Sequence, residues 1–171
     1  MSTDALLYQA PAGVIGDVTR VDESNVEPAM LVAASTVFAQ AFGIPVKYVA
    51  GGIQQFNGGA ETAADFAGVL IREVPSISGS AAQGLTDNIP DPTVPQGFLV
   101  RGYCSVKAYG SAAVARGAVV YIQIIANGGV PVGAFRTDSD GGNSIVLSTT
   151  QATWATDGKD ADGIAELRVA R

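Results

Sequence analysis

Two stretches place carboxylates close enough together to do chemistry: "DSDGGN", with Asp138 and Asp140, and "DGKDADG", with Asp157, Asp160 and Asp162. Each resembles part of a calcium loop. Neither has the alternating oxygen ligands, central glycine and later glutamate that an EF-hand loop requires. Tight turns also call for Asp, Asn and Gly, so turn chemistry accounts for both stretches equally well. A glycosidase needs two carboxylates on either side of a bond, and nothing in the spacing selects such a pair.

The other chemical groups are sparse. The chain has no histidine, which removes the commonest general base and transition-metal ligand. Its one cysteine, Cys104, excludes an intrachain disulfide and, with no histidine, a zinc site. Cys104 lies in an alternating apolar stretch and reads as a small core residue. "GGIQQFNGG" does not have the spacing of a phosphate loop, and no nucleophile elbow occurs. Trp154 is either a sugar-stacking platform or a side chain packed over the core edge. The expected catalytic, metal and cofactor sets are therefore all none.

Charge narrows the partners. Sixteen acidic and 10 scattered basic residues give a net charge of −6, which argues against a nucleic-acid groove. The longest apolar-leaning run, "AMLVAASTVFAQAF", is too short and polar to span a bilayer. The beginning, "MSTDALLYQAP", has an acid where a secretory signal wants a base, so the expectation is a protein made in the cytoplasm. Neither nucleic acid nor membrane is expected as a partner.

Whatever these groups do, short strands must hold them. At 171 residues the chain suits a single domain over 1–171, with glycine and proline dividing it at strand-length intervals. In "FLVRGYCSVKA", Phe98, Val100, Gly102, Cys104, Val106 and Ala108 alternate with Leu99, Arg101, Tyr103, Ser105 and Lys107. This period of two predicts an antiparallel strand with one wet face. "AVVYIQII" sets Val120, Ile122 and Ile124 against Val119, Tyr121 and Gln123. "IAELRVAR" turns Ala165, Leu167 and Val169 inward and Glu166 and Arg168 outward. "GVLIREV", "IPVKYVAG" and "NSIVLS" add three more strands. Gly110 and Gly117 are expected to flank a hairpin-like connection, with Gly117 free to take a positive φ. The stretch 28–42 has Pro28 at a possible first turn and Gly43 beyond its end. Its apolar residues make no single stripe, which disfavours a helix. Residues 78–97, with Pro90, Pro92 and Pro95, form a long loop, functional or mobile, or divide the chain into halves. The predicted fold class is all-β: an antiparallel β-sandwich, jelly-roll-like, or a β-barrel. An extended N-terminal arm, 1–16, precedes a β-rich body, 17–171.

In order, "APAGVIGDVTR", "SNVEPAML", "AFGIPVKYV" with "GGIQQF", "FAGVLIREVP" and "VPQGFLVRGYCSVKAYGSAAVARGAVVYIQI" form a recognisable series. "GVPVGAFRTDSDGGNSIVL", "ATWAT" and "DGIAELRVA" complete it. The series resembles the structural cement, or capsid decoration, proteins of tailed bacteriophages. It departs from that pattern at "LIREVPSISG", where the family more often has an aromatic residue or proline after the arginine. The resemblance implies a non-enzymatic, β-rich virion protein on the outer surface of the capsid. It would bridge neighbouring major capsid proteins and act as a dimer or trimer with itself. Leu6, Leu7, Tyr8, Val14 and Ile15 of the arm are then candidate capsid or oligomer contacts, or else pack on their own domain. A carbohydrate-binding or host-surface-binding β-sandwich module is the alternative.

Overall fold

The computed structural model describes residues 14–32, 42–72, 90 and 93–170. These residues contain ten strands and no α-helix. The first five strands are β1 (Asn25–Met30), β2 (Pro45–Val49), β3 (Gly52–Gln55), β4 (Gly68–Leu70) and β5 (Pro95–Tyr109). The last five are β6 (Tyr121–Gln123), β7 (Phe135–Arg136), β8 (Ser144–Val146), β9 (Ala152–Trp154) and β10 (Ile164–Ala170). They form one sheet in the order β3-β2-β4-β5-β7-β6-β8, with β1 and β10 also paired to β5 and β9 paired to β10. The fold is all-β as expected. A single bridge, Leu31 to Ile53, brings β1 toward β3, but the sheet is not closed into a barrel.

At 15 residues, β5 is far longer than an ordinary strand of about 5–6 residues and organises the rest. Its start pairs with β1, from Met30 opposite Pro95 to Val26 opposite Leu99. β4 pairs with it too, placing Val69 opposite Leu99. Farther along, β10 runs from Ile164 opposite Lys107 to Ala170 opposite Arg101. At its end β5 pairs with β7 in parallel, Ala108 opposite Phe135. This one pair makes the sheet mixed and corrects the purely antiparallel expectation.

A bulge interrupts β5. Val26 faces Leu99 but Asn25 faces Arg101, so Val100 is an extra residue without a partner in β1. Simple alternation would put Phe98 and Val100 on the same face as Cys104. Instead Phe98 and Val100 join a small core with Leu31, Phe42, Val46, Ile53, Ala67 and Leu70. Leu99 changes sides and joins Cys104, Val106 and Ala108 in a larger core around Phe66, Phe135, Leu147, Trp154 and Leu167. Leu99, expected on a wet face, is therefore buried, as is Ser105. Gly102, just past the bulge, has φ +129°, and a Cβ there would lie 2.7 Å from Ser24 Cα.

Other expectations change in detail. Pro28–Met30, within the helix candidate, lie in β1, an edge position where a proline's missing N–H is tolerated; residues 33–41 of that candidate lie outside the described residues. Pro95–Gly97, the end of the expected long loop, begin β5. The Gly110–Gly117 connection is not a hairpin, because β7 lies between β5 and β6. Thr137 and Asp138 hold that connection: the Thr137 amide donates to Tyr109 O at 2.9 Å, and the Ser111 amide donates to Asp138 Oδ2 at 2.9 Å. Gly117 does take a positive φ, +78°, and its N–H donates to Trp154 O at 2.7 Å.

Candidate interaction surface

The carboxylates singled out in the sequence are occupied as internal acceptors. Asp138 Oδ2 accepts the Ser111 amide and hydroxyl, and Arg136 Nη2 reaches Asp138 Oδ1 at 2.8 Å. Burial works against this charge, but the Ser111 and Arg136 donors outweigh it and hold the carboxyl below the usual aspartate range. Asp140 takes Gln123 Nε2 at 2.8 Å and Asn127 Nδ2 at 3.0 Å, and these donors likewise depress its pKa. In the second cluster, Asp157 Oδ1 accepts the Arg116 amide, while Asp160 Oδ1 accepts the Asp162 and Ile164 amides. Both clusters do the work of turns. Among the described residues, no group of three or more His, Cys, Asp or Glu side chains is placed to hold a metal ion. The Cys104 thiol is fully buried, and desolvation pushes its pKa up, so it is a poor nucleophile. Trp154 is also buried, which removes it as a sugar platform.

The N-terminal segment forms a surface against β5. Gly16 N donates to Ser105 O at 2.8 Å, Ser105 N to Asp17 O at 2.9 Å, and Thr19 N to Tyr103 O at 3.0 Å. Residues 16–19 thus line β5 before β1 begins. Glu166, expected to face solvent, is covered by this segment. The Thr19 hydroxyl donates to Glu166 Oε1, and Arg20 grips both carboxylate oxygens, with Nη2 at 2.9 Å from Oε2. The Arg20 guanidinium also lies 4.0 Å from the centre of the Tyr103 ring. Its pKa is raised, first by the Glu166 hydrogen bond.

Beside this clamp is a cleft of about 410 Å³. The 3-10 turn Val21–Glu23 brings Asp22 and Glu23 to it, β5 brings Arg101 and Tyr103, and β10 brings Arg168. Sequence reading placed Arg101 and Arg168 on outward faces, where the structure finds them exposed. It did not single out Val21, Asp22 or Glu23, since a polar stretch before a strand is indistinguishable from any turn. The arm candidates divide: Val14 is exposed, Ile15 is half-buried, and Leu6, Leu7 and Tyr8 lie outside the described residues.

Residues 4–170 match the structural cement protein family (E217 gp24/Pam3 gp6). The chain belongs to the structural cement protein family. Its family is thus one of phage structural proteins, as the ordered sequence resemblance implied. The fold of this cement protein is similar to that of a chain in the solved capsid of Myoviridae phage XM1. The two share 18% identity and a TM-score of 0.62, over 98% of this chain and 96% of that one. No curated protein matches it.

Proposed function

We propose that this cement protein binds the outer surface of a phage capsid and bridges neighbouring major capsid proteins, without catalysis. The family match over residues 4–170 carries this reading. The internal use of Asp138, Asp140 and Glu166 and the burial of Cys104 support a structural role rather than a reactive site. A protein that binds only the assembled shell stabilises it by mass action, and contact with several subunits at once turns modest contacts into avidity. The partners are the major capsid protein and further copies of this chain, as a dimer or trimer. Leu6, Leu7, Tyr8, Val14 and Ile15 are the proposed contacts of the N-terminal arm.

The test is co-sedimentation of the purified chain with undecorated capsids of its phage. Saturable pelleting, with capsids that survive to a higher temperature, is the expected result. A folded protein that stays in the supernatant would overturn the reading. Deleting residues 1–12 is expected to abolish pelleting, and unchanged pelleting would remove the arm from the contact.

A further inference from the structure

The patch around the Val21–Glu23 turn holds charges of both signs outside any ion pair, Glu23 acting only at a distance on the Arg20 guanidinium. Among the described residues, Asp22 and Glu23 make no hydrogen bond or ion pair through their side chains, and neither do Arg101 and Arg168. All four line the same cleft without pairing with one another. At the tip of the turn, Val21 is 73% exposed, the highest value among the large hydrophobic side chains of the described residues.

The turn is also held in shape before any partner arrives. Glu23 N and Ser24 Oγ both donate to Arg20 O, at 3.2 and 2.7 Å, and Ser24 N donates to Val21 O at 3.1 Å. Ser24 rests on Gly102, and Arg20 is fixed by Glu166 and Tyr103. A preorganised knob loses little conformational freedom on docking.

The mixture of charges selects the occupant. An acidic peptide would neutralise Arg101 and Arg168 but bring its charge beside Asp22 and Glu23; a basic one would do the reverse. A second copy of this chain, related by a two-fold axis, satisfies both sets, because each acidic turn meets the other copy's arginines. We propose that the Val21–Glu23 turn and the Arg101–Arg168 wall form a two-fold interface between two copies of this chain, with Val21 covered at its centre. This gives a surface to the self-association proposed above. It does not depend on capsid binding, so the two can fail separately.

Sedimentation equilibrium of the full chain tests it. The wild type is expected to dimerise, with a Kd that rises with salt. Arg101→Glu/Arg168→Glu and Asp22→Lys/Glu23→Lys are each expected to weaken the dimer on the order of 100-fold or more, since each sets like charges against each other. An equimolar mixture of the two variants is expected to restore a dimer within ~10-fold of wild type, because both contacts are again complementary. That rescue also shows that both variants are folded. A monomeric wild type at all concentrations, a wild-type trimer, variants that still dimerise, or folded variants that do not rescue each other would overturn the proposal. Capsid co-sedimentation of the same samples reports separately on the cement role.

Discussion

The two ends of β5 belong to different environments. Its start, Phe98 to Val100, is buried on both faces, with Leu99 in the large core and Phe98 and Val100 in the small one. Beyond the bulge, Cys104, Val106 and Ala108 keep one face in the large core, while Arg101 and Lys107 stand exposed. One strand is therefore core at one end, where two clusters cover its two faces, and half surface at the other, and the bulge between them switches which face each residue takes. This is how a sheet can bury a central strand and still present charged groups of that same strand to a partner.

Substitutions along β5 test that division most strongly. Leu99→Ala and Phe98→Ala are each expected to cost about 3–5 kcal/mol in urea unfolding, as fully buried side chains do. Lys107→Ala is expected to stay within ~0.5 kcal/mol, and so is Arg101→Ala at concentrations where both proteins are monomeric. Similar losses at both ends would break the comparison. Gly102→Ala sharpens it at the junction. A positive φ of +129° is costly for alanine, and the new Cβ meets Ser24, so a loss of about 2–3 kcal/mol is expected. Because Ser24 supports the Val21–Glu23 turn, the same variant is expected to weaken self-association, read by sedimentation.

A smaller loss than at Gly102 is expected beyond the end of β5, where Asp138 ties the 111–116 connection to β7. The folded pKa values of Asp138 and Asp140 lie below the unfolded one. Their contribution is thus complete above about pH 4 and is lost as pH falls through the lower folded values. The thermal midpoint is expected to drop below pH 4. Asp138→Asn is expected to lose about 1 kcal/mol at neutral pH, or ~2–4 °C, and to show a shallower acid decline. An acid decline as steep as wild type in that variant would assign the effect to other groups.

The legible parts of the fold were those governed by a uniform period. Ala165, Leu167 and Val169 alternate into the core as their sequence predicts, and Val120 and Ile122 do the same. β5 broke the rule because a bulge depends on what its partner strand offers, and Asn25 to Met30 carry no such signal alone. β7 is only two residues long, Phe135–Arg136, too short for any period, so the parallel pairing that displaces the hairpin could not be read. Glu166 looked solvent-facing because its cover, Thr19 and Arg20, comes from 147 and 146 residues away along the chain. Of the candidate surface, Arg101 and Arg168 were legible as outward charges. Their shared cleft with Asp22 and Glu23 was not, since three separate segments make it.

The pairing of β5 also sets a timetable. Its partners include β1, near the start of the chain, and β10, whose last residue is Ala170. The sheet cannot be completed until every segment from Asn25 to Ala170 is available, and contacts across such long separations make for slow folding. The same arrangement slows escape, because freeing β5 means breaking its ladders with β1, β4, β7 and β10 together. For a protein of a structural cement family, the useful measure of endurance is then the lifetime of the folded state rather than its equilibrium stability.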